Sequence, residues 1–138
     1  MVEFNKILTK NNCPQCGCEN ALNAGQLNHR GKLRWYETVN CTNCGLRSEA
    51  DGGGIPPVDI RQKIIDYDGL WRVNVLQVIS KKEILKVIRK ALSIDMKEAS
   101  RLAKDLPGNL YVGTKEEAIW IADLLIKVGE SPNVGRVE

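Results

Sequence analysis

Two short turns, Cys13-Pro14-Gln15-Cys16-Gly17 and Cys41-Thr42-Asn43-Cys44-Gly45, constrain this chain more than anything else in it. Both read Cys-x-x-Cys-Gly, and 24 residues lie between Cys16 and Cys41. A Cys-x-x-Cys turn directs two thiolates at one metal, and a glycine directly after it permits the positive φ that so tight a turn needs. Two such turns supply four soft sulfur ligands, the set that zinc takes at tetrahedral corners with Zn–S distances of about 2.3 Å. Four protein thiolates leave no position for water. The expected metal is therefore one structural Zn2+ per chain, held by Cys13, Cys16, Cys41 and Cys44.

Other uses of these cysteines are less well supported. Two disulfides would need an oxidising compartment, and the opening Met1-Val2-Glu3-Phe4-Asn5-Lys6 has no apolar signal-peptide core. Redox chemistry needs one such motif, and two are present. Cys18 is the odd cysteine: it could replace Cys16 as a ligand, but the spacing favours Cys16 and leaves Cys18 a spare thiol. His29, the single histidine, lacks nearby partners for catalysis and reads as a polar loop residue.

At 138 residues the chain suits one domain or two small ones. Its 43% hydrophobic and 27% charged residues are ordinary for a globular protein. No apolar run approaches the roughly 18 residues that a membrane helix requires, and no export signal is evident, so a cytoplasmic protein with no membrane contact is expected. A net charge of +3 is too small to argue for nucleic acid by itself. Residues 51–69 are the acidic stretch, with four carboxylates against two basic groups.

Three parts follow along the chain: 1–50, 51–69 and 70–138. Val2, Phe4 and Ile7 are expected to pack on the first part. Between the cysteine turns, Leu33, Trp35, Glu37 and Val39 alternate with Arg34, Tyr36 and Thr38, which is strand periodicity. Asn28 to Gly31 reads as a hairpin tip. A knuckle, two or three antiparallel strands and a second knuckle make a zinc ribbon. So small a unit needs its metal to stay folded. Trp35 and Tyr36 beside Arg30, Lys32 and Arg34 suit either base stacking or a strand with its tryptophan turned inward. Asp51-Gly52-Gly53-Gly54 reads as a flexible joint. Pro56-Pro57 then opens a short linking helix with Ile60 and Ile64 on one face.

The third part predicts strand, helix, helix, strand, helix, strand. Leu70 to Ile79 is the first strand. Ser80 and Glu83 form a capping box for a helix that turns Ile84, Leu85, Ile88 and Leu92 inward, while Lys81, Lys82, Lys86, Arg89 and Lys90 line its polar side. Asp95 caps a second helix carrying Met96, Ala99, Leu102 and Ala103. Leu110-Tyr111-Val112 is a strand, Thr114 and Glu117 form another capping box, and Val134 to Val137 is the last strand. The helix from Ala118 to Val128 has only Asp123 and Lys127 as polar residues. It must be covered on more than one side, and a partner held through Trp120 is one way to do so.

Residues Lys81 to Glu138 resemble the C-terminal domain of the bacterial ribosomal stalk protein. The pattern is Lys81-Lys82-Glu83-Ile84-Leu85-Lys86-Val87-Ile88-Arg89, then Met96-Lys97-Glu98-Ala99, Leu102, and Thr114-Lys115-Glu116-Glu117-Ala118. With the preceding strand it covers about half the chain. The resemblance implies an α+β class, with three antiparallel strands and helices on one face following the antiparallel ribbon. It also implies a surface for translation factors at Lys81, Lys86 and Arg89. Ser93 and Asp95 stand where the family has glycines, and Ser100 where it has a lysine. The family's dimerising segment and alanine-rich hinge are replaced by the ribbon.

The whole layout, with Glu49-x-Asp51-Gly52-x-Gly54-x-x-Pro57 and Gly69-x-Trp71 beside the cysteine turns, is similar to immunity proteins of bacterial polymorphic and contact-dependent toxins. That resemblance implies a toxin domain as partner. The overall basic charge opposes a basic toxin, while Asp51 and Asp59, with Asp66 and Asp68, offer a complementary patch. No nucleophile–base–orienter set, phosphate-cradling loop or paired carboxylate cleft is evident, so no enzyme is expected. The expectation is a protein-binding module that neutralises a toxin. The alternative is a zinc-ribbon factor bound to ribosomes, translation factors or RNA.

Overall fold

The computed structural model describes residues 7–13 and 15–137. The chain is mixed α+β, and among the described residues it forms two antiparallel sheets and four α-helices. It divides into two units, Met1–Tyr67 and Asp68–Glu138. No helix of the described residues is long and apolar enough to cross a membrane. Val2, Phe4 and the side chain of Ile7 lie outside the described residues.

The first unit is a meander of β1 (Ile7–Asn12), β2 (Glu19–His29), β3 (Lys32–Asn40) and β4 (Arg47–Gly53), paired in that order. The turn at Arg30-Gly31 has φ of 52° and 77°. Two successive positive values make the tight hairpin turn whose twist matches that of the strands it joins. On β3 the expected alternation shows only over Lys32 to Trp35: Leu33 is buried between exposed Lys32 and Arg34, Trp35 packs with Ala24, Ile60 and Ile64, and Tyr36 to Val39 are all half-buried. Ile60 and Ile64 come from α1 (Val58–Asp68) and share a face as their spacing requires. That face lies on the sheet, so the helix belongs to this unit's core.

The glycine-rich joint is corrected here. Asp51, Gly52 and Gly53 are the end of β4, and Gly52 pairs with Trp35. A Cβ on Gly52 would lie 2.7 Å from the Trp35 indole. The glycine is thus a strand residue with an aromatic ring packed over it, which local composition does not distinguish from a linker. Gly54, with φ of 78°, ends the strand and donates its N–H to the Leu33 carbonyl at 2.8 Å.

The second unit runs β5 (Trp71–Val75), α2 (Lys81–Leu92), α3 (Met96–Leu102), a 3-10 turn at Ala103–Asp105, β6 (Gly108–Gly113), α4 (Lys115–Lys127) and β7 (Asn133–Arg136). Its sheet order is β6-β5-β7, antiparallel throughout. Helix α4 packs on all three strands, and α2 packs on α4. Covered on two sides, α4 buries Ala118, Ile121 and Leu125 completely. Trp120 is also buried, at 5% exposure. Its ring is therefore not open to a partner, which corrects its reading as a surface anchor.

Strand β5 stops at Val75, four residues before the expected end, and Leu76 to Ile79 form a loop. The end of that loop is held from 50 residues away. The Glu130 carboxylate, 4% exposed, accepts the N–H of Ile79 and that of Ser80, each at 2.9 Å. Those amides are withdrawn from any ladder. The same bond alters the first capping box. Ser80 Oγ accepts the Glu83 N–H at 3.3 Å, but Ser80 N–H goes to Glu130, and Glu83 instead pairs with Lys86. At Thr114 and Glu117 both halves of the box form, and the buried Glu117 also accepts the Tyr111 hydroxyl at 2.8 Å. Asp95 caps α3 as expected, at 2.8 Å from the Glu98 N–H. Met96 is exposed in the first turn of α3, while Ala99 is buried.

Candidate metal centre

Antiparallel pairing of β2 with β3 brings the β1–β2 turn and the β3–β4 turn to the same end of the sheet. These turns carry the four cysteines. Each has the same backbone frame: Cys13 N–H donates to the Cys18 carbonyl at 2.7 Å and Cys41 N–H to the Leu46 carbonyl at 2.8 Å. Gly17 N–H and Gly45 N–H donate to the Cys13 and Cys41 carbonyls at 2.9 and 3.0 Å. Both glycines sit in the left-handed region, at φ of 77° and 80°. The repeated frame explains the repeated sequence, and it places Cys18 where the second turn has Leu46.

The Sγ atoms of Cys13, Cys16, Cys41 and Cys44 all lie within 4.8 Å of one another. Cys13 and Cys44 sulfurs are 3.6 Å apart, as are those of Cys16 and Cys41. A tetrahedron with Zn–S bonds of about 2.3 Å has edges of about 3.8 Å, so the cluster matches a metal's demand closely. No disulfide joins the five cysteines in the structure. The donor set is compatible with a structural metal such as zinc. No other group of three or more cysteine, histidine or acidic side chains of this kind occurs among the described residues.

Four sulfurs so close cannot all ionise without a cation. The Asn43 side-chain amide, 3.5 Å from Cys16 Sγ, and a Cys18 backbone N–H hold the Cys16 thiol down to about 6. At Cys44 a Leu46 backbone N–H pulls downward. Burial and the hydrogen-bonded thiols of Cys41, Cys13 and Cys16 outweigh it and push the group up to about 12. A divalent ion at the centre would reverse that penalty. Cys18 is raised, first by its hydrogen bond to Cys16 and then by burial, and it lies outside the group of four sulfurs. Asn43 was not singled out by sequence reasoning; its place beside a ligand cysteine was the only hint.

The remaining candidates fall elsewhere. Lys81, Lys86 and Arg89 are exposed on α2. Asp51 is exposed on β4 and paired with Arg34 at 3.0 Å, and Asp59 is exposed in the first turn of α1. His29, Arg30 and Lys32 are exposed at the hairpin tip, whereas Trp35 faces the core. The Gly69-x-Trp71 motif is explained by local packing. A Cβ at Gly69 would lie 2.9 Å from the Arg136 guanidinium, and the Trp71 indole donates to the Asp68 carbonyl at 3.1 Å. Comparison of the chain with protein-family models, curated proteins and solved structures gave no match.

Proposed function

We propose that the chain is a non-catalytic binding protein, with a zinc ribbon in its first unit and a domain like the ribosomal stalk C-terminal domain in its second. Its specific task is to neutralise a bacterial toxin by binding it. The supporting observation is the closed tetracysteine cluster. Every donor is a protein sulfur, so a bound Zn2+ would have no open position for substrate or water and would serve the fold. Function then lies with surfaces. Asp51 and Asp59 are exposed for a basic toxin face, and Lys81, Lys86 and Arg89 for an acidic one.

The test is to look for a toxin domain encoded beside the gene and to co-express the full chain with it. Rescue of growth and a stable complex are expected; a toxin left active in the presence of folded, metal-loaded protein would end this reading. A second reading has one observation in its favour. Helix α2 carries five basic side chains against the one carboxylate of Glu83, a net +4 on 12 residues. That concentration suits a ribosome- or RNA-associated factor. Such a factor would bind RNA with an affinity that falls steeply as salt rises.

A further inference from the structure

We infer that the loop Leu76–Ile79, with the first residues of α2, is a preformed docking surface for an acidic protein segment that carries aliphatic or aromatic side chains. This rests on the protein-binding reading above and names a surface for it. Ile79 is 74% exposed and Leu76 62%, the two most exposed large apolar side chains of the second unit among the described residues. Loops that expose such side chains lower their free energy by folding them back. This one is prevented from doing so, because both carboxylate oxygens of buried Glu130 hold the backbone at Ile79 and Ser80. A buried carboxylate bound to the amides that lead into a helix is well placed electrostatically. It also occupies those amides, so they are not an anion site for a ligand.

The chemistry of the occupant follows from what surrounds the loop. Lys81 and Lys82 follow it after Ser80 and are exposed, on a helix of net +4, whereas the rest of the chain sums to −1. An apolar pair flanked by cations is complementary to apolar side chains flanked by carboxylates. A loop already held in its binding conformation loses little entropy on association. Glu130 is then a positioning residue, acting through the loop.

The experiment uses the full, metal-loaded chain, isotopically labelled and titrated at low salt with a synthetic helical peptide of glutamates bearing leucines at i, i+4. Expected are NMR shift changes centred on residues 76–82. Affinity should fall by about tenfold in Ile79→Ser with Leu76→Ser, as for a lost interface anchor. Glu130→Gln should weaken binding while leaving both apolar side chains in place, and the Ile79 and Ser80 amides should lose hydrogen-exchange protection. A merely structural Glu130 would show the exchange change without the affinity change. Absent binding, shifts elsewhere, or an unchanged affinity in the double serine variant would overturn the proposal. So would oligouridine displacing the peptide with indifference to the serine changes, which would assign the lysines to phosphates. A double serine variant that still neutralises the toxin would sink this surface and leave toxin binding standing. Peptide binding by a chain that neutralises nothing would do the reverse.

Discussion

The two units are held together by different means. Among the described side chains, the large aliphatics buried in the first are Leu33, Ile60 and Ile64, with Trp35 packed against Ile60 and Ile64. In the second, Val73, Val75, Ile84, Ile88, Leu110, Ile121 and Leu125 are all buried around α4. The two sheets, one of four strands and one of three, are built differently. One places four sulfurs at the end of a meander and leaves β4 with almost every side chain exposed. The other has an apolar helix crossing three strands. Metal binding contributes on the order of 10–16 kcal/mol in small zinc peptides, enough to replace several buried side chains at about 1.5–3 kcal/mol each.

The contrast is most severely tested by removing a ligand. Cys41→Ser, at a buried position, or chelation of the metal should unfold the first unit and leave the second intact. One zinc per wild-type chain, lost zinc in the variant, and selective loss of the first unit's NMR signals are expected. A variant with full zinc content and unchanged melting would break the comparison. The mirror experiment is Leu125→Ala, which should cost the second unit about 2–5 kcal/mol without altering zinc content. Calorimetry and metal analysis read the two effects separately.

A finer test is Asn43→Ala. Without that amide the Cys16 thiol rises from about 6 towards its ordinary value of 9.0. Fewer thiolates are then ready at neutral pH. The pH needed to load zinc should shift upward, and competition with a chelator near neutrality should show roughly tenfold weaker binding, as for other partners of metal ligands. The smallest effect is expected at Ser93, which ends α2 at φ of 54°. A serine there is strained where glycine is not, so Ser93→Gly should stabilise the second unit by about 1 kcal/mol. Thermal melting checks it, and zinc content should not move.

Much of this was legible in the residues. The cysteine spacing foretold the cluster because its chemistry is local to two turns. The Asp95 and Thr114 caps, the Ile60–Ile64 face and the order of elements in the second unit also rest on short-range patterns. What escaped depends on distant contacts. Gly52 looks like a joint until the Trp35 ring is seen above it. Leu76 to Ile79 looks like more strand, and the structure has a loop there whose Ile79 amide goes to Glu130. Trp120 looks like an anchor until α4 is found covered. In each case the structure adds a partner far along the chain that the local pattern does not show.

The hairpin turn at Arg30-Gly31 lies at the far end of the sheet from the sulfurs. A protease that cuts after basic residues would find Arg30 exposed there. Such a cut leaves Cys13 and Cys16 on one fragment and Cys41 and Cys44 on the other. The severed halves should travel as one particle in native mass spectrometry for as long as the ion stays in place, and part when it is withdrawn.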